Sequence, residues 1–178
     1  VMGDSLRVQV VGHGTLGPVV REACRQVHQV VEIDPDVLWV CYDTPISEEG
    51  VPQSEAILSD LRFDLLDLDT RVPVLISSQM PVGTIAQLET EYPWRVFAYS
   101  PENIRVKSGL QDFLKQHRMV VGCRVPQCDG LWNRLFSPFT PVVIQTDPET
   151  AEMIKHALNC WLGLQIAWIN EIAKISAQ

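Results

Sequence analysis

Residues 6–27 read LRVQVVGHGTLGPVVREACRQV, and their punctuation predicts a strand, a tight turn and a helix in immediate succession. Leu6–Val11 is a short run rich in β-branched residues, the composition of a buried strand. Gly12–Gly17 follows at once as GHGTLG, and from Pro18 to Val27 the spacing is helical with no internal glycine. A proline fits the first helical turn because the N–H groups there have no intrahelical acceptor. The G-x-G-x-x-G spacing, placed after a strand and before a helix, suits a backbone cradle for a diphosphate. The first glycine makes the turn, the second lets the ligand approach the backbone, and the third lets the helix pack on the strand. Gly12, His13, Gly14, Thr15, Leu16 and Gly17 are the expected cofactor-binding residues, provided that the loop's amide hydrogens point into an open hollow. A purely structural turn is the alternative.

Working outward, the same pattern repeats. Val37–Tyr42 (VLWVCY) ends at Asp43-Thr44-Pro45, and helical spacing follows over Glu55–Leu68. Val72–Ile76 precedes SSQMPVG and a helix over Thr84–Glu91, and Arg95–Tyr99 leads into SPEN. Arg118–Val121 and Val142–Gln145 read as further strands, with a helix over Asp129–Phe136 between them. Strands alternating with helices predict an α/β fold: a Rossmann-like, doubly wound, mainly parallel sheet followed by a long C-terminal helix. Residues 1–146 are expected to form the dinucleotide-binding domain and 147–178 the helix. An acid about 20 residues beyond the glycine loop would accept bonds from a ribose, and Asp34 and Glu32 are both candidates. Only Pro35 and Asp36 separate Asp34 from the next apolar run, too few for a crossover between parallel neighbours. Val30–Ile33 is therefore expected to be a short or antiparallel edge, or residues 26–36 a loop.

The chain has 178 residues, 46% of them hydrophobic, with a formal charge of −8. That suits one domain with a real core and disfavours sequence-independent nucleic-acid binding. The acid is concentrated: between Glu32 and Asp69 eleven Asp and Glu residues face the single Arg62. Cys24, Cys41, Cys123, Cys128 and Cys160 include no CxxC pair, and their odd number fits no closed disulfide framework. Reduced thiols in the cytoplasm are the expectation, and no metal site is expected. The most apolar helical stretch, Ala157–Ile169, is interrupted by Asn159 and Gln165, so no membrane span is expected.

In the last segment, Asp147 is placed to cap a helix with Pro148 in its first turn. Met153, Ile154, Leu158, Trp161, Leu162, Leu164, Ile166, Trp168, Ile169, Ile172 and Ile175 cover more than one face of it. One sheet cannot cover them all, and a homodimer through this helix is expected; a helix central to a monomer is the alternative.

In order, VQVVGHGTLG, DVLWVCYDTP, SSQMPVGT, YSPENIR, RMVVG and TDPETAEMIKHALNCWLGLQIAWINEIA resemble the N-terminal part of the UDP-glucose/GDP-mannose dehydrogenase family. The resemblance implies NAD as cofactor and a nucleotide sugar as ligand, its primary alcohol oxidised to a carboxylate through a thiohemiacetal on a cysteine. Gly12, Gly14 and Gly17 would hold the pyrophosphate, and Thr44, Pro45, Ser78 and Gln79 would lie along the cofactor. Glu102, Lys155 and Asn159 match polar residues lining the reacting sugar. Lys155 and Asn159 stand at i and i+4, so one helix face presents a cation and an amide donor to a developing oxyanion. Glu102 would supply or orient a base or water. Cys160 points about 100° away from Asn159 around that helix and reads as a core or interface thiol.

The chain also departs from the family pattern. The family's nucleophilic cysteine lies beyond the long helix and has no counterpart in these 178 residues, so at most one hydride transfer is expected. Several tens of residues are missing near Asp34. Val106 stands where a second Glu often follows the Arg, and Gln79 where a Thr is common. A non-catalytic dimeric scaffold that keeps the fold is the alternative function.

Overall fold

A computed structural model of the chain describes residues 5–102 and 109–176; Val106 and the Asn103-Ile104-Arg105 end of the SPEN-Ile-Arg segment lie outside them. The strands are β1 (Arg7–Val11), β2 (Gln29–Val30), β3 (Val37–Val40), β4 (Val74–Ile76), β5 (Phe97–Tyr99), β6 (Met119–Cys123) and β7 (Val143–Thr146). The helices are α1 (Leu16–Val27), α2 (Ser54–Asp64), α3 (Thr84–Glu91), α4 (Gly109–Leu114), α5 (Asp129–Phe136) and α6 (Pro148–Ser176). One sheet holds all seven strands in the order β2-β1-β3-β4-β5-β6-β7, parallel except where β5 meets β6. The expected doubly wound α/β fold is present.

Strand periodicity divides the core. Val8, Val10, Val37 and Trp39 face α1, α4 and α5, packing with Val20, Phe113, Trp132 and Phe136. Leu38 and Val40 project the other way into a second cluster with Ile57, Leu61, Ile76, Ile85 and Phe97. All four residues of β3 are buried, as a central strand covered on both faces requires.

Both runs flanking Asp34 prove to be parallel strands, because they lie on opposite sides of β1. Arg7 pairs with Gln29 in β2, whereas Val8 pairs with Val37 in β3. The long-crossover rule binds only strands that share a ladder, so a short link suffices. In that link Asp34 adopts φ 53°. The Arg7 N–H donates to Asp36 Oδ2 at 2.7 Å, and its guanidinium pairs with Asp36 at 3.1 Å and with Asp34. Helix α1 begins two residues before Pro18, α2 stops short of Leu68, and α4 is an additional six-residue helix.

Asp147 caps α6 as expected, accepting from the Thr150 N–H at 2.8 Å. The first turns pack on β5, β6 and α3, burying Pro148, Ala151 and Glu152. From Asn159 to Ser176 every residue is exposed, with Trp161 at 56% and Trp168 at 66%. Among the described residues no helix is long and apolar enough to cross a membrane.

Candidate functional site

The polar segments after β1, β3, β4 and β5 leave the carboxyl end of the sheet, where the chain's connections step to either flank of β1. Open α/β sheets carry their ligands at such a switch point. Gly12 has φ 118°, and a Cβ on it would overlap the Cys41 carbonyl. A Cβ on Gly17 would overlap the carbonyl of Gly12, so α1 rests directly on the turn. These two glycines do what their spacing predicts.

Gly14 does something else. A Cβ there would overlap the carboxyl group of Asp43, the side chain that leaves the strand next to β1. Both Asp43 oxygens accept the Thr15 N–H, at 3.0 and 2.8 Å, and Oδ2 also accepts the Thr15 hydroxyl at 3.1 Å. The Thr15 amide is therefore not free, contrary to the open hollow expected from the sequence. The register that sets Val11 beside Val40 brings Asp43 over the loop, and the positive end of α1 favours a carboxylate there. The backbone frame fits a diphosphate. The anion in it belongs to the chain itself.

Beyond the loop, several expected residues converge. The Thr44 hydroxyl donates to the Gln79 carbonyl at 2.7 Å, and Asn159 Nδ2 donates to Gln79 Oε1 at 3.3 Å. Lys155 Nζ donates to the Glu102 carbonyl at 2.6 Å, so its ammonium is held by backbone at the end of β5. Ser78 is buried, and its hydroxyl has no hydrogen-bond partner among the described residues. Pro45 and His13 are exposed beside Thr44 and Gly12, whereas Leu16 is buried in the first turn of α1. Cys160 is exposed and is not a core thiol.

Asp34 does not join this group. It is exposed, paired with Arg7, and lines a cleft of about 330 Å³ with Gln9, Glu32, Asp64, Asp67 and Asp69; no glycine-loop residue borders that cleft. Three contributors besides the expected residues emerge. His156 Nε2 lies 2.8 Å from the Met80 carbonyl, fixing the segment after Gln79 against α6. The buried Glu152 carboxylate accepts the N–H groups of Gly83 and Ile85 at 2.6 and 2.8 Å, capping α3 from α6. Burial pushes its pKa up while those N–H groups pull it back. The third is Asp43. Each acts on residues that are remote in sequence, and no local pattern signals it.

The sequence matches no protein-family profile. It is 32% identical over 147 residues to UDP-glucose 6-dehydrogenase YwqF of Bacillus subtilis, covering 79% of this chain and 33% of that protein. It is 27% identical over 147 residues to the UDP-glucose 6-dehydrogenase of Rickettsia conorii, covering 79% and 34%. Among solved structures, a UDP-D-ManNAc dehydrogenase from Pyrococcus horikoshii superposes with a TM-score of 0.79 at 19% identity, over 95% of this chain and 53% of that one. A GDP-mannose dehydrogenase from Pseudomonas aeruginosa gives 0.76 at 20% identity, over 93% and 52%. These likenesses confirm the fold. In sequence the chain is similar to members of the UDP-glucose/GDP-mannose dehydrogenase family, and it spans about a third of the length of the curated UDP-glucose 6-dehydrogenases it matches.

Proposed function

We propose that this chain is the nicotinamide-dinucleotide-binding portion of a nucleotide-sugar dehydrogenase, with NAD as its cofactor and a UDP- or GDP-sugar as the ligand of the complete site. The observation that carries the reading is the close approach of Gly12 to the Cys41 carbonyl and of Gly17 to the Gly12 carbonyl, a backbone arrangement that supports dinucleotide binding at this turn. Thr44, Ser78 and Gln79 leave neighbouring strands on the same side and would follow the cofactor. When bound, NAD would supply the hydride acceptor. Lys155 and Asn159, on the face of α6 turned toward Glu102 and Gln79, would orient the sugar and meet negative charge developing on its oxygen. The thiohemiacetal step needs a nucleophile, and Cys160 points away from this group.

The site is tested by thermal denaturation with NAD, NADH and NADP. Binding at about 100 times the dissociation constant adds roughly 2.7 kcal/mol and raises the melting temperature. No rise with any of the three at millimolar concentration rejects the reading. The five unpaired cysteines suit a reducing compartment, and a cytoplasmic location belongs to the same proposal. A second reading, a dimeric scaffold that keeps the fold without nucleotide chemistry, is favoured by the exposed apolar length of α6. It expects stable self-association with no saturable nucleotide binding.

A further inference from the structure

We propose that Asp43 is a built-in occupant of the phosphate cradle, competing with the diphosphate of any dinucleotide for the amino end of α1. The inference rests on the dinucleotide reading above and says what governs it. The room that the second glycine leaves above the backbone is filled by the Asp43 carboxyl group. That carboxylate bonds both the amide and the hydroxyl of Thr15, as an incoming phosphate oxygen would. Asp43 also belongs to the segment from Glu32 to Asp69, where eleven acidic residues face one arginine, so a second anion arrives against a negative field.

Asp43 is exposed, and its side chain has solvent to turn into. A diphosphate must therefore displace a charge-assisted hydrogen bond before it gains its own. Removing the carboxylate removes that cost, and dinucleotide affinity rises roughly 10- to 100-fold. Asp43→Asn is nearly isosteric and keeps an oxygen able to accept the Thr15 N–H, so the loop retains its cap; Asp43→Ala removes both charge and acceptor.

The experiment titrates the full 178-residue chain and both variants with NADH, and with adenosine as a ligand that lacks phosphate, by calorimetry. The Thr15 amide resonance is followed in ¹H–¹⁵N spectra. The expected result is tighter NADH binding by both variants, no gain for adenosine, and a Thr15 amide that moves on substitution and again on NADH addition. Equal NADH affinity in all three proteins overturns the proposal and leaves the dinucleotide reading standing. An equal gain for adenosine also overturns it, because a neutral ligand does not compete with the carboxylate for charge. If folded variants with a displaced Thr15 resonance still bind no NADH, the dinucleotide reading fails and this proposal with it.

Discussion

Three glycines of one motif have different neighbours, and so their substitutions have different costs. A methyl group at Gly12 or Gly17 meets backbone carbonyls that cannot withdraw, and Gly12 also holds a left-handed φ. Gly12→Ala and Gly17→Ala should each destabilise the chain by roughly 2–5 kcal/mol, read as a fall in the urea midpoint. At Gly14 the obstacle is the end of a flexible side chain. Gly14→Ala should cost only about 1–2 kcal/mol, the hydrogen bonds that Asp43 gives up on turning outward. Comparable losses at all three positions would show that Asp43 is not free to move. Nothing in the letters GHGTLG distinguishes these cases. The distinction lies in Asp43, 28 residues beyond the amide it caps.

At the scale of elements, His28 clasps the end of α1 to the end of α5. The Leu6 N–H donates to Nδ1 at 3.3 Å and Nε2 lies 3.0 Å from the Leu135 carbonyl, so the neutral ring carries its proton on Nε2. Burial is the main cause that lowers its pKa below the ordinary 6.5. The unfolded chain therefore takes up a proton first as pH falls. Stability attributable to this clasp is complete above 6.5 and declines from there toward the folded pKa, where it levels off. Urea midpoints should drop between about pH 7.5 and 5.5 by more in the native chain than in His28→Gln. A parallel pair of profiles would place the titration elsewhere. The boundaries of α3 and α5 match the helical spacing residue for residue, because apolar periodicity and turn residues mark both ends. By contrast, β2 has two residues and α4 six, too short for any period to register. Glu152 capping α3 across 67 residues is a tertiary bond with no local signature. The candidate site was legible in the same uneven way. Thr44, Gln79 and Asn159 are hydrogen-bonded to one another in a chain, but Asp34 is held by Arg7 at the amino end of β1, away from the glycine loop.

Taken whole, the molecule is a two-sided sheet with a helix of about 43 Å, much of it running clear of the body. The body buries its apolar residues well, yet Trp161, Leu164, Trp168 and Ile175 on α6 remain more than half exposed. Exposed apolar side chains gathered on one helix mark an interaction face, and a second copy presenting the same helix would cover it. Sedimentation at micromolar concentration should show dimers, and Trp161→Glu or Trp168→Glu should weaken association roughly tenfold or more without altering far-ultraviolet circular dichroism. A single monomeric species in the native chain would remove this expectation.

The link Val31–Asp36 passes from one flank of β1 to the other with no helix of its own, and Gln9 is left lining an acidic cleft. Because Arg7 pins both Asp34 and Asp36, the ladder on either side is anchored independently of the residues between them and β2. Doubling the length of such a span costs only about 0.6 kcal/mol in closure entropy. This corner is therefore a natural splice point: a helical hairpin grafted after Val31 would roof the cleft and give β1 the second wall that its neighbours already possess.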